Sequence, residues 1–263
     1  MLSKISLADG PDFSVAAVRC AGHRHGWSPP EPAGRHQVVL VRSGRFRLRS
    51  EGRDVLADPT AGYLQMPGDV ASFAHPAGGD VCTAVTFSPA LWWSVAGDDR
   101  RRPASAPVYL DGRLQLAHRR LLRAAPDAAF GMAEQLVGLL DGLLRVPGRP
   151  APRRVGTRAL ADDAREALLA DHPEAGGLFP LARLLGVSPS HLSRVFQRET
   201  GTSLTRYRNR IRVTRALDRI EQGAGHLAGI AADLGFADQA HLCRAVRAEL
   251  GRTPTEVRRL LGA

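Results

Sequence analysis

Apolar and polar positions alternate along the first third of the chain and recur at intervals of three and four over the rest. Between about Phe13 and Phe87, runs with β-type alternation or β-branched richness cover Phe13–Cys20, His36–Arg42, Gly44–Ser50, Gly62–Met66, Val70–His75 and Val81–Phe87, with Gly and Pro between them. His36 to Arg49 reads as two strands around a Ser43-Gly44 turn. Alternation in the second sets Phe46 and Leu48 on one face and Arg45, Arg47 and Arg49 on the other. Short strands at this spacing predict a sandwich or barrel. After Pro89 the period lengthens. Arg113–Ala125 and Ala128–Leu144 carry helical stripes, the second through Met132, Leu136, Leu139, Leu140 and Leu143. Such stripes serve either as a coiled-coil-like seam between two copies, the preferred reading, or as a cover for the barrel's open side. Trp92-Trp93, just after Pro89, is expected to cap the end of the barrel rather than to stack on a ligand.

Residues 146–156 hold three prolines and two glycines and predict a linker. Beyond it the chain reads as short helices with an internal repeat. Ala182, Leu185 and Gly186 recur at Ala231, Leu234 and Gly235. After one inserted residue, His191, Leu192, Arg194, Glu199, Gly201 and Arg208 recur at His241, Leu242, Arg244, Glu249, Gly251 and Arg258. Each copy is helix, glycine turn, helix. Gly186 and Gly235 stop the first helix, and Ser188-Pro189 and Asp238 start the second. Leu192, Val195 and Phe196 in one copy and Leu242 and Val246 in the other point inward. This is helix-turn-helix grammar, in which the start of the second helix enters a major groove. Ser203–Gln222 between the copies predicts a helix of roughly 30 Å, close to one turn of duplex, about 34 Å.

Composition narrows the class. With 263 residues, 44% hydrophobic and 24% charged, the chain is ordinary globular material. It has no run of eighteen apolar residues and no basic-then-apolar leader, so a soluble cytoplasmic protein is expected. Three cysteines are too few for a disulfide framework. Net charge is +10, and Lys4 is the one lysine among 36 basic side chains. Arg183 to Arg219 holds nine arginines against Glu199 and Asp218, a local patch suited to polyanions.

The residues from Phe179 to Tyr207, through Leu-Leu-Gly186-Val-Ser-Pro-Ser-His-Leu-Ser-Arg194, closely resemble the first DNA-binding module of AraC-family transcriptional regulators. Ile230 to Arg258, with its Gly235-Phe236 turn and Gly251-Arg-Thr-Pro254, resembles the second. The resemblance implies an α+β protein. A cupin-like β-barrel with trailing helices (1–145, sensory or dimerising) precedes a linker (146–156) and an all-α domain of two helix-turn-helix modules joined by a long helix (157–263). Base-edge readers carried over are Ser190, Ser193 and Arg194 in the first module and Gln239, Ala240, Cys243 and Arg244 in the second. Gln197 and Arg247 join the expected DNA-binding set from the outward face. Val246 and Val257 stand where the family usually has an aromatic and a tyrosine, which implies a looser second module.

The barrel segment carries Cys20, His23, His25, His36, His75 and Cys82. A His-x-His pair on a strand suits metal, but Glu31 lies too far from His25 and Pro29-Pro30 interrupts the strand. The histidines His23, His25, His36 and His75 are therefore assigned to an effector pocket, with no metal, no cofactor and no catalytic residue. Expected partners are double-stranded DNA and, as candidates, a small-molecule effector, a second copy and, for an activator, RNA polymerase. A metal-dependent cupin enzyme fused to a DNA-binding domain is the alternative.

Overall fold

The structure, a computed structural model, describes residues 2–22, 26–96, 107–123, 128–145, 155–223 and 226–262. Its contacts divide the chain into two units, Met1–Gly148 and Arg149–Ala263. The expected linker lies outside the described residues except for Val155 and Gly156, which begin a helix of the second unit.

The first unit is built from strands β1 (Leu2–Asp9), β2 (Phe13–Cys20), β3 (Glu31–Pro32), β4 (His36–Ser43), β5 (Phe46–Ser50), β6 (Arg53–Ala57), β7 (Ala61–Gln65), β8 (Val70–Ala74), β9 (Asp80–Phe87) and β10 (Pro107–Tyr109). They form two antiparallel sheets, β1-β2-β9-β4-β7-β10 and β3-β8-β5-β6. Helices α1 (Pro89–Ala96), α2 (Gly112–Arg123) and α3 (Ala128–Arg145) follow. Strand parity sorts the side chains into two cores. Val39, Val41, Phe46, Leu48, Val55, Tyr63 and Cys82 fill the space between the sheets. The opposite parity of the larger sheet, Val15, Val38, Leu40, Leu64, Val85 and Phe87, packs with Trp92, Leu121 and the α3 stripe of Met132, Leu136, Leu139, Leu140 and Leu143.

That second core corrects two expectations. The α3 stripe is buried against the outer face of the six-stranded sheet, where each leucine is worth about 1.5–3 kcal/mol, instead of facing outward as a seam. Trp92 is buried on the same face, stacked on Phe87, and does not close a barrel end; Trp93 stays 44% exposed. Strands β1, β3, β6 and β10 are additions to the expected set. The β5–β6 hairpin turns through Glu51 and Gly52, both at positive φ (50° and 70°), the mirror-image turn that suits strand twist.

The second unit comprises α4 (Val155–Leu169), a 3-10 turn (Pro173–Gly176), α5 (Leu178–Leu184), α6 (Pro189–Thr200), α7 (Leu204–Glu221), α8 (Leu227–Asp233), α9 (Gln239–Leu250) and α10 (Pro254–Leu261). Ala161, Ala164 and Leu168 of α4 pack with Leu181, Leu192, Phe196, Tyr207 and Ile211. Arg165 of α4 lies inside this core, 1% exposed, with Nη1 donating to Asp162 at 2.7 Å and Nε to the Tyr207 hydroxyl at 3.2 Å.

Candidate nucleic-acid interface

The two modules are built by the same local devices. In the first, α5 ends and Gly186 takes φ 66°, a conformation that costs other residues about 1–2 kcal/mol. Ser188 then caps α6, its Oγ accepting from the His191 N–H at 3.2 Å, with Pro189 at the first helical position. In the second, Gly235 takes φ 69° after α8, and the Asp238 carboxylate accepts from the His241 N–H at 2.6 Å. Both long helices stop at left-handed glycines, Gly201 and Gly251. The next helix is capped by Ser203 in one copy and by a Thr253–Glu256 capping box in the other.

Inward residues fall where the repeat places them. Leu192 and Leu242 are both fully buried, and Phe196 and Val246 occupy matching core positions. Tyr207 meets Phe196 edge-to-face at 5.2 Å. Their counterparts, Val246 and Val257, are buried too, so the second module keeps its core but lacks the aromatic pair, worth about 0.5–1.5 kcal/mol beyond burial.

The outward residues share one face in each copy. Ser190, Arg194 and Gln197 are exposed and Ser193 half-buried on α6; Gln239, Ala240, Arg244 and Arg247 are exposed and Cys243 half-buried on α9. Arg194 lies along its own helix, Nε donating to the Ser190 carbonyl at 3.3 Å, and is not held by Glu199. Among the described residues Arg244 has neither a hydrogen bond nor an ion pair, since Glu249 is taken by Arg206 (3.4 Å) and Arg210 (3.5 Å).

The basic patch reads differently in three dimensions. Six of its nine arginines sit on α7, and each engages a protein group. Besides the Glu249 pair, Arg208 donates to the Gly176 carbonyl, Arg212 lies over the Phe236 ring at 5.8 Å, Arg215 reaches Asp171 and the Leu169 carbonyl, and Arg219 reaches Asp233. Arg210, one of the patch, is buried. These arginines brace the modules on α7, and Arg206 and Arg219 stay exposed beside the outward charge of α6 and α9.

The histidines of the expected effector pocket do not share a face. His36 has the parity of Val38 and Leu40, stacks on Trp92 at 5.6 Å between ring centres, and burial lowers its pKa. His75 lies beyond β8, stacked on Phe46 at 5.3 Å and 3.1 Å from Asp80. His23 and His25 fall outside the described residues. Asp80, absent from the expected set, is the missed residue. Its alternation with Cys82 at the start of β9 was the available signal.

A helix-turn-helix domain model matches residues 181–260, and an AraC-binding-like domain model matches residues 5–172. The HTH-type transcriptional regulator GlxA of Rhizobium meliloti (strain 1021) is 35% identical over 83 residues, 32% of this chain and 26% of that protein. The match thus spans about a quarter of the curated relative. Among solved structures, fatty-acid-bound ToxT from Vibrio cholerae strain SCE256 aligns over 97% of this chain and 98% of its own at 9% identity (TM-score 0.40). The C-terminal domain of AraT, a response regulator from Geobacillus stearothermophilus, aligns over 38% and 84% at 26% identity (TM-score 0.35). With nearly two thirds of its length matched by one family model and the paired helical modules accounted for by another, the chain belongs to the AraC-binding-like domain family and carries a helix-turn-helix domain at its C-terminal end.

Proposed function

We propose that the protein is a sequence-specific DNA-binding transcriptional regulator that sets α6 and α9 into adjacent major grooves of one duplex. The observation that carries this reading is the duplication itself. Two helices with the same caps and the same buried leucine present exposed polar faces, and both are braced on α7. A helix start carries a partial positive charge and unpaired N–H groups that favour the phosphate backbone. Arg194, Gln239 and Arg244 have the reach and donor geometry to read base edges, whereas Ser190, Ser193, Ala240 and Cys243 are short and leave more of the discrimination to DNA shape.

On this reading the protein works in the cytoplasm, and the first unit acts as an effector-responsive regulator of the second. A small molecule that engages it should change DNA affinity by about 1–3 kcal/mol, the usual size of such coupling. RNA polymerase and a second copy are the further partners. The test is to titrate the full chain, and separately residues 149–263, with random duplexes and with duplexes enriched by selection. Preference for the enriched sequences supports sequence-specific regulation. Equal binding to all duplexes overturns it.

A further inference from the structure

Three chemically distinct donors converge at one end of the barrel. The register of the first unit places Cys20 directly across from Asp80 on β2 and β9, and Val18 across from Cys82. Because parity repeats every second residue, Cys20, Asp80 and Cys82 share the face that turns into the barrel, the face of Val18 in the inter-sheet core. His75 arrives from the other sheet, just past β8. The thiol of Cys20, an imidazole nitrogen of His75 and a carboxylate oxygen of Asp80 all lie within 4.8 Å of one another.

Two further observations distinguish this group from a chance meeting of polar side chains. Asp80 is 5% exposed, and its Oδ2 has no aligned hydrogen-bond donor among the described residues although His75 Nε2 stands only 3.1 Å away. A buried carboxylate oxygen without a donor costs about 1–3 kcal/mol or more, and a cation would relieve it. The other oxygen, Oδ1, is held by the Cys82 thiol at 3.1 Å, which aims the carboxylate as an outer-sphere donor does in metal sites. The surrounding backbone is drawn in tightly. A Cβ at Gly79 would fall 2.6 Å from the Cys20 carbonyl, and one at Gly44 would fall 2.5 Å from the Gly79 carbonyl.

We infer that Cys20, His75 and Asp80 form a binding site for a borderline-soft divalent cation of the zinc class. The ligand set is the reason. One sulfur, one imidazole nitrogen and one carboxylate oxygen suit zinc, while calcium and magnesium want oxygens alone. Bonds of about 2.0 Å to nitrogen and oxygen at tetrahedral angles put those two ligands about 3.3 Å apart, close to the His75–Asp80 separation. Three protein ligands leave a fourth position for water or a small molecule. Binding must displace the Cys20 thiol proton to solvent. The site replaces the metal-free histidine pocket that sequence spacing alone suggested, and it uses neither His36 nor the His-x-His pair.

The test uses the full chain, reduced, stripped with a chelator and titrated without DNA, so its outcome is independent of the regulatory reading. Zinc should bind with one equivalent per chain. Cobalt(II) in its place should give a thiolate-to-metal charge-transfer band. Cys20→Ser should remove the band, and Cys20→Ser and His75→Gln should each weaken zinc by at least the 10–100-fold that outer-sphere losses typically cost. Cys243→Ser in the second unit should change neither. Metal-free melting curves check that the variants fold, and if one does not, the other decides. No stoichiometric uptake, zinc affinity undiminished in the folded variants, or a cobalt band that survives Cys20→Ser, overturns the site.

Discussion

Removing the carboxylate of Asp162 should harm the helix-turn-helix unit far more than removing it together with its partner. The Arg165 guanidinium is fully buried, one arm on Asp162 at 2.7 Å and one on the Tyr207 hydroxyl at 3.2 Å. Asp162→Ala takes a carboxylate away from a buried cation, and breaking such a buried pair typically costs about 3–5 kcal/mol. At about 4 °C per kcal/mol for a unit of this size, the midpoint of residues 149–263 should fall by about 12–20 °C. Tyr207→Phe removes one charge-assisted hydrogen bond and should cost about 1.5–3 kcal/mol. The double variant Asp162→Leu with Arg165→Met replaces the pair by apolar volume. Because desolvating two charges offsets much of their attraction, it should be near neutral or more stable by about 1–4 kcal/mol. Thermal and urea unfolding of all three forms, read by circular dichroism, give the comparison. If Asp162→Ala costs under about 1 kcal/mol, or the double variant is as unstable as the single one, the buried pair does not hold α4 on its neighbours as argued.

Arg194→Ala and Arg244→Ala should each lose about 1–3 kcal/mol of base discrimination, in different halves of the operator; binding to a library of single-base variants reads this, and a uniform loss would mean that neither arginine reads sequence. Gly186→Ala meets open space and should cost only its left-handed backbone, about 1–2 kcal/mol, whereas Gly235→Ala also sets a Cβ 3.2 Å from the Arg212 guanidinium and should cost more; equal melting shifts would contradict the difference. His118 is buried in α2, and burial, then Arg42 and Arg119, hold its pKa at about 3 against 6.5 for an ordinary imidazole. The unfolded chain therefore binds the extra proton between those values, so first-unit stability should fall as pH drops below about 6.5 toward 3. His118→Leu should flatten that slope in pH-dependent melts, and an unchanged slope would place its origin elsewhere.

The helical half was legible because its signals are local. Caps, left-handed glycines and the leucine period act within a few residues, and each repeats, so Gly186, Ser188 and Asp238 could be placed from the chain alone. The partners of the α7 arginines were not legible, for the opposite reason. A count of charges along the chain does not register that Glu249 or the Gly176 carbonyl will fold back onto them. In the barrel the strands were found but not their partners. His36 and His75 are close in type and in expectation, yet the parity of β4 sends one to the helix layer while the other sits by Asp80 at the barrel end. Asp80 escapes a sequence reading because the apolar pattern starts only at Val81, one residue inside the strand, and Leu2–Asp9 because its apolar residues lie on an exposed edge.

The bracing of α7 has a consequence for the DNA as well as for the protein. An 18-residue helix is about 27 Å of stiff rod, and Arg206 and Arg210 fasten α9 to it through Glu249. A flexible tether would let the second reader search a volume, so its local concentration would fall slowly as half-sites moved apart. A rod offers a very high local concentration at one spacing and almost none at another. On the proposed reading, operators must then keep their two half-sites in fixed helical phase, about 10–10.5 base pairs centre to centre. Five added base pairs would turn the second half-site to the far side of the duplex, leaving the protein with the affinity of a single module.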